Sequence, residues 1–138
     1  MTPDDVQSVP LSADVVALLQ SKAFAYVATV LPDGAPHATE TWIDTDGECV
    51  LLNTIVGYQK QRNLERDPRV ALVVSRPEDQ ARHVAIRGKV VSMTTEGARD
   101  HIERLSQRYF GSAYPMHDRG QRLLVRIAPT WVHESLRR

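Results

Sequence analysis

One stretch of the chain, residues 51–74, combines apolar and polar segments in an order that restricts the possible folds. An apolar run ends in Asn53 and Thr54 and is followed by a glycine-containing loop. A short basic helix is predicted to begin near Gln59 and to end before Pro68, where a second apolar run follows. The pattern therefore predicts a strand, a polar loop, a helix and another strand.

The start of the predicted helix has the components of an anion-binding site. Asn53 and Thr54 would place polar groups beside the free backbone N–H groups of the first helical turn, which begins near Gln59. Lys60 and Arg62 would add positive charge at the same point. Because proteins commonly hold phosphate in this way, we predict that the stretch binds the phosphate of a cofactor.

The same residues allow a plainer interpretation. Lys60 and Arg62 could lie on a solvated helix face, with Glu65 and Asp67 as surface partners. The polar pair that precedes the loop could simply form a turn. The sequence pattern alone leaves both interpretations open.

Six apolar or alternating segments have the period of β-strands. They are residues 23–31, 36–44, 48–52, 70–75, 82–94 and 122–134, the last interrupted at Pro129. Gly88, near the middle of the fifth segment, is predicted to form a bulge or a barrel corner. Because a single open sheet would leave long apolar edges unpaired, the pattern predicts a closed or partly closed antiparallel barrel.

Two further helices are predicted at the periphery of this barrel. Ser12 can cap a helix through Gln20, whose apolar stripe is suited to cover one barrel end. Thr95 can cap a second helix over residues 96–110, and Gly111 is predicted to end it.

Composition narrows the class of protein. The 138 residues are enough for one domain, 1–138, and 42% of them are hydrophobic. Seventeen basic residues balance 17 acidic ones, which argues against nucleic acid as the principal partner. No apolar run is long enough to span a membrane, and the single cysteine, Cys49, is predicted to be a core residue in a reducing compartment. We therefore expect a cytoplasmic protein that does not bind membranes.

The side chains show no pattern of a metal site or of covalent catalysis. The five histidines lack the spacing of metal-ligand pairs, and the single cysteine adds no second ligand. No Gly-x-Ser-x-Gly segment occurs. We expect no bound metal and identify no catalytic residue.

The central stretch resembles that of the pyridoxamine-phosphate-oxidase-like split-barrel proteins, which bind flavins or deazaflavins. In that family a strand that ends in a polar pair is followed by a lysine, an Arg-Asn-Leu segment and an Asp-Pro-Arg-Val segment. Here these are Asn53-Thr54, Lys60, Arg62-Asn63-Leu64 and Asp67-Pro68-Arg69-Val70, with further similarity at residues 28–37 and 84–88. The resemblance implies a mainly β fold, a six-stranded antiparallel split β-barrel with peripheral helices. It also implies a homodimer with two equivalent cofactor sites at the subunit interface.

The resemblance also implies cofactor-binding residues. Thr39, Thr41 and Trp42 match the segment that runs along the flavin or deazaflavin ring, although Trp42 could equally be a core residue. His83 matches a polar position that often reaches the cofactor, although a surface histidine is an alternative. The candidate set for the phosphate and the neighbouring loop is Asn53, Thr54, Gln59, Lys60, Arg62 and Asn63, with Arg66 and Arg69 as alternatives to Arg62. Arg87 is expected at the dimer interface.

The function implied by the resemblance is redox chemistry on a small organic substrate. The short chain and the Arg-Asn-Leu-x-Arg-Asp-Pro-Arg segment favour an F420-dependent oxidoreductase, in which the deazaflavin transfers hydride. An FMN-binding oxidoreductase is the alternative cofactor assignment. A non-catalytic module that binds flavin or haem is the alternative from another class, because no catalytic side chain is evident.

Overall fold

The computed structural model describes residues 6–115 and 119–135, and it contains a single antiparallel sheet with three helices in these residues. The elements are α1 (Ala13–Leu19), β1 (Phe24–Val30), β2 (Pro36–Trp42), β3 (Asp44–Thr45), β4 (Val50–Ile55), α2 (Gln59–Arg66), β5 (Arg69–Arg76), β6 (Asp79–Thr94), α3 (Ala98–Phe110) and β7 (Arg122–Ser135). The strand order across the sheet is β2-β1-β5-β6-β7-β4-β3. The protein has the mainly β split-barrel fold that the sequence predicts.

The sheet has seven strands in the described residues, so the prediction of six was wrong. The segment expected to run unbroken over residues 36–44 leaves the β1 ladder at Ile43, which is fully buried and donates its backbone N–H to the Tyr109 hydroxyl (3.2 Å). Asp44 and Thr45 then pair with β4 instead. One predicted strand therefore becomes two, β2 and β3.

This break closes the sheet into a barrel. β2 and β3 form opposite edges of the sheet, yet only Ile43 separates them in the chain. Since consecutive Cα atoms lie about 3.8 Å apart, the two edges must meet at this point. No ladder pairing joins β2 to β4 in the described strands, so a gap remains between them beyond the junction. This gap is the split of the barrel.

The barrel interior is filled by aliphatic side chains that alternate along the strands. Ala25 and Val27 of β1 and Val70, Leu72 and Val74 of β5 point inward, while their neighbours are more exposed. The helix α1 covers one end with its buried apolar side chains, and the Ser12 side chain caps it by accepting from the backbone N–H of residue 15 (3.2 Å). The predicted cap and apolar stripe of this helix are confirmed.

The two longest strands, β6 and β7, bend around a glycine. The pairing register shifts between Arg87 and Gly88, and a Cβ atom on Gly88 would lie 2.5 Å from the Ala128 carbonyl oxygen. The predicted bulge at Gly88 is thus confirmed. Pro129 lies opposite Gly88 and its carbonyl oxygen accepts from the backbone N–H of Val9 (2.8 Å). β7 continues to residue 135, but its pairing with β6 is interrupted beside Pro129, where Thr130 has no partner in the described ladder.

The third helix begins later than the sequence indicates. Its N-cap is Gly97 rather than Thr95, while the Thr94 hydroxyl accepts from the backbone N–H of Glu96 (3.1 Å) in the preceding turn. Gly111, with a φ of 74°, ends the helix as predicted. No helix in the described part of the chain is long and apolar enough to cross a membrane.

Candidate cofactor-binding site

The strand β4 extends further than predicted and includes two of the candidate cofactor-binding residues. It continues through Asn53 and Thr54 to Ile55, pairs with β7 along its whole length, and all six of its residues are buried. The chain then turns at Gly57, whose φ of 95° suits glycine, and α2 begins at Gln59. The polar pair thus lies beside the start of α2, as the sequence predicts.

A cavity of about 620 Å³ occupies the split between β2 and β4, and the start of α2 borders it. This volume lies within the roughly 300–1,000 Å³ that is usual for cofactor and ligand sites. Its lining comes from β2 (His37, Thr39, Glu40, Thr41), β4 (Asn53, Thr54, Ile55), the loop and first turn of α2 (Gly57, Tyr58, Gln59, Lys60) and β7 (Arg122).

Two polar atoms at this cavity have no hydrogen-bond partner in the described residues. They are the Thr39 Oγ1 and the His37 Nδ1, and both are buried. Leaving such a group unpaired away from water costs about 1–3 kcal/mol. A bound polar molecule in the cavity would supply partners for both.

Lys60 is the most unusual residue of the cavity. It is only 9% exposed, and no carboxylate pairs with it in the described residues. Burial, with a further contribution from the charge on Arg122, lowers the pKa of Lys60 to about 8. The alternative interpretation of Lys60 as part of a solvated helix face is therefore wrong. Buried charges in proteins are usually paired, so Lys60 lacks the partner that such a charge normally has.

Arg122 is the second cation of the cavity, and it comes from the first residue of β7. Its Nε donates to the Asn53 Oδ1 (2.7 Å), and burial lowers the pKa of the guanidinium. In the part of the chain that the structure describes, Arg122 has no carboxylate partner. Lys60 and Arg122 both line this cavity, and the charge on Arg122 contributes to the lowered pKa of Lys60.

Asn53 joins Arg122 to a buried polar network. Arginine has only donors, so the Asn53 oxygen faces it and the Nδ2 points to the Ala98 carbonyl oxygen (2.8 Å) and the His101 Nδ1 (3.0 Å). His101, 1% exposed, therefore accepts at Nδ1 and donates from Nε2 to the Asp44 Oδ2 (2.9 Å). The network fixes the orientation of Asn53 and, through it, that of Arg122.

Arg108 completes the network on the side away from the cavity. Its Nη2 donates to the Asp44 Oδ1 (2.7 Å) and its Nη1 to the Ile43 carbonyl oxygen (2.9 Å). Although burial opposes ionisation of Asp44, its hydrogen bonds with His101 and Arg108 outweigh this and hold the pKa of the carboxyl below its usual range. The network ties the chain between β2 and β3 to α3.

The structure brings together six of the ten predicted site residues. Those that line the cavity are Thr39, Thr41, Asn53, Thr54, Gln59 and Lys60. Asn63 is fully buried on the side of α2 that faces β1. It donates to the Thr29 hydroxyl (3.0 Å) and accepts from the Gln59 side chain (2.8 Å). Asn63 therefore positions Gln59 without lining the cavity.

The other three predicted residues do not line this cavity. Arg62 is exposed and donates to the Gln59 Oε1 (2.7 Å). Trp42 lies opposite Phe24 in the β1–β2 pairing, on the other face of β2 from the threonines. His83 lies near the start of β6, opposite Ser75 of β5 and Ser135 of β7 in the strand pairing.

The sequence interpretation missed Arg122 and several neighbours. Arg122 precedes the apolar run of β7, and a charged residue at the start of an apolar strand was the available signal. His37 lies on the same face of β2 as the predicted threonines, and Glu40 lies between them in the chain, so both could have been included. The described residues contain no group of three or more His, Cys, Asp or Glu side chains that could hold a metal ion.

A split antiparallel barrel with a cation-lined cavity at the start of a helix defines the class of the protein, a split-barrel protein. Residues 11–135 match the family of pyridoxamine 5'-phosphate oxidase. Since this match spans most of the chain, the protein belongs to the pyridoxamine 5'-phosphate oxidase family.

Solved structures agree with this family. The chain is similar to an F420 reductase, with 29% sequence identity and a TM-score of 0.78 over 91% of this chain and 98% of that one. A conserved hypothetical protein from Mycobacterium tuberculosis has 29% identity and a TM-score of 0.72 over 91% and 84% of the two chains. The haem storage protein HutZ from Vibrio cholerae shares the fold, with 17% identity and a TM-score of 0.66 over 91% and 95%. No curated protein sequence matches the chain significantly.

Proposed function

We propose that the protein is an F420-dependent oxidoreductase whose cofactor lies in the cavity between β2 and β4. The single observation that carries the proposal is Lys60, a buried cation without a carboxylate partner in the described residues, at the start of a helix. A phosphate there would interact with the Lys60 ammonium and with the free N–H groups of the first turn of α2.

The remaining cavity residues have roles in holding the same cofactor. Arg122 adds positive charge, and the unpartnered Thr39 hydroxyl can hydrogen-bond to a polar edge of the ring. Thr41 and Asn53 lie further along the same cavity. When bound, F420 supplies the hydride for reduction of an organic substrate. The described side chains hold the cofactor and exclude water, and we assign none of them as the proton donor.

The F420 reductase among the similar structures supports F420 over FMN, because the two chains match over nearly their whole lengths. FMN also carries a phosphate, so Lys60 by itself does not discriminate between the cofactors. We propose further that the protein acts in the cytoplasm as a single domain, with its free thiol, Cys49, buried in the core.

A parallel titration tests the choice of cofactor. Purified protein is titrated with F420 and with FMN, and binding is followed by the fluorescence of each cofactor. We expect the dissociation constant for F420 to be at least about tenfold lower, a difference of about 1.4 kcal/mol. Equal or tighter binding of FMN would replace the proposal by the FMN-dependent alternative. Binding of haem with neither flavin would favour the non-catalytic module.

We also propose that the protein is a homodimer that forms through the outer face of the sheet, with the cofactor sites at the subunit interface. Tyr26 and Val73 lie opposite each other on β1 and β5 and are 52% and 42% exposed. On the neighbouring strands, Arg87 lies over the ring of Trp131, 4.3 Å from its centroid. Large apolar side chains that remain exposed on neighbouring strands are typical of a subunit interface.

Light scattering tests this assembly at micromolar concentration. We expect about twice the chain mass of 15.5 kDa for the wild-type protein. Val73→Glu should produce monomers, because a two-fold interface would bury the new charge in both subunits. Gln107→Glu, on an exposed position of α3, is the control and should remain dimeric. A wild-type monomer that binds cofactor fully would contradict the shared site.

A further inference from the structure

A second cavity of about 260 Å³ adjoins the cofactor cavity beneath α3. It shares Thr41, Asn53, Arg122 and Glu40 with the first cavity, so the two spaces meet at these residues. The rest of its lining is apolar: Phe24, Trp42, Ile102, Leu105, Phe110 and Tyr114.

The apolar walls are rings held in fixed relative orientations. Trp42 stacks on Tyr109 with centroids 4.7 Å apart and an angle of 2° between the rings. Phe110 and Tyr114 approach Trp42 edge-on, at 4.8 Å and 79° and at 6.2 Å and 73°. Phe110 is 58% exposed, so its ring is free to contact a ligand without giving up packing contacts in the core. These walls suit a flat ring, which gains from stacked or edge-to-face contacts.

The polar end of this second cavity is cationic. The Arg122 Nε is engaged with Asn53, and its Nη1 reaches the Tyr114 hydroxyl at 3.5 Å. Its Nη2 has no hydrogen-bond partner in residues 6–115 and 119–135. Glu40 lies at the rim and hydrogen-bonds to Tyr26, its neighbour across the β1–β2 ladder.

We propose that this aromatic cavity is the substrate site and that it takes a small planar aromatic acid. The carboxylate pairs with Arg122, and the ring lies among Trp42, Phe110 and Tyr114. The volume is slightly below the roughly 300 Å³ at the lower end of ligand pockets, which limits the substrate to a single ring with short substituents. The assignment as substrate rests on the proposed function, because the cavity meets the cofactor cavity at Thr41 and Arg122.

Benzoate is the probe for this site, and Trp42 is the reporter. Trp131→Phe removes the other tryptophan, so fluorescence in this background comes from Trp42 alone. Titration with benzoate into the millimolar range should change this fluorescence saturably. Benzamide, which lacks the charge, and cyclohexanecarboxylate, which lacks the planar ring, should each bind at least about fivefold more weakly.

Three variants in the same background locate the bound acid. Phe110→Ala should weaken benzoate binding about twofold to tenfold, since it removes one ring contact at an exposed position. Glu40→Gln should strengthen benzoate binding about twofold while leaving benzamide unchanged, because it removes a like charge from the rim. Lys60→Met should weaken benzoate binding less than about twofold, because Lys60 lines only the cofactor cavity and its charge acts on the acid from a distance.

These results separate the inference from the proposed function. Saturable benzoate binding that is weakened more by Phe110→Ala than by Lys60→Met supports the aromatic site, whether or not F420 binds. No saturable change with benzoate, equal affinity of Phe110→Ala, or loss of benzoate binding in Lys60→Met would overturn the inference. Loss of F420 binding in Lys60→Met, measured separately, tests the cofactor site alone.

Discussion

Replacing Lys60 by methionine is expected to weaken F420 binding about tenfold to a hundredfold. A charge-assisted hydrogen bond to phosphate contributes about 1.5–3 kcal/mol, and the helix dipole at the start of α2 cannot replace it. The variant should also show a shallower salt dependence of binding, because one cation has been removed. Binding is followed by cofactor fluorescence at several salt concentrations.

The matched control is Arg62→Ala, two residues further along the same helix. Arg62 is exposed and donates to Gln59 without lining the cavity, so its loss should change the F420 affinity less than about threefold. A larger effect for Arg62 than for Lys60 would mean that the phosphate lies on the outer face of α2.

The Lys60→Met replacement also changes how the stability of the cofactor-free protein depends on pH. Burial lowers the pKa of Lys60 from 10.5 to about 8, so between these values the unfolded chain binds more protons than the folded one. The contribution of Lys60 to the free energy of unfolding therefore increases as the pH rises from about 8 to about 10.5, by about 3 kcal/mol at most. In Lys60→Met this contribution is absent. The difference between the two proteins removes the effects of Tyr26, Tyr109 and Cys49, whose pKa values are raised.

Replacing Asp44 by alanine is expected to lower the free energy of unfolding by about 3–5 kcal/mol, the usual cost of removing one partner of a buried ion pair. The Asp44 side chain is 14% exposed and accepts from both Arg108 and the fully buried His101. Its loss leaves the His101 Nε2 and the Arg108 Nη2 without this acceptor where β2, β3 and α3 meet. Urea unfolding at pH 7 measures the effect.

Two comparisons make the Asp44 result specific. Asp44→Asn keeps the shape and some of the hydrogen bonds, so it should lose less stability than alanine. Glu78→Ala breaks an exposed ion pair in which the Glu78 Oε1 lies 3.7 Å from the Arg76 Nε. This variant should have almost no effect on the free energy of unfolding. A loss for Asp44→Ala as small as that for Glu78→Ala would show that the network does not stabilise the fold.

Acid should weaken the same network. The bonds with His101 and Arg108 hold the pKa of Asp44 below its usual value of 3.8. Its contribution to stability is therefore complete above about pH 4 and is lost as the pH falls through the lowered pKa of the folded state.

Local sequence patterns predicted most of the strands, because alternation, turn residues and glycines act over short distances. Because side chains alternate along a strand, Trp42 lies on the opposite face of β2 from Thr39 and Thr41, although the resemblance grouped all three along the cofactor ring. The break at Ile43 was not predictable in the same way. It depends on the hydroxyl of Tyr109, which is 66 residues away in the chain.

The candidate site was predictable only where its residues are close in sequence. Lys60, Gln59 and the Asn53-Thr54 pair lie within eight residues, and the structure places them around one cavity. Arg122 reaches that cavity only because β7 pairs with β4, a contact between distant segments. Burial of Lys60 likewise depends on tertiary packing. The sequence alone therefore could not exclude that Lys60 lies on a solvated helix face.

The most direct test of the cofactor site is the titration of the Lys60 ammonium by NMR, with and without F420. Assignment by comparison with Lys60→Met identifies its resonance among the three lysines. Without ligand, the pKa should be about 8, and bound F420 should raise it, because a phosphate beside the ammonium stabilises the charged form. A pKa that stays unchanged at saturating F420 would contradict the assignment of Lys60 as the phosphate ligand.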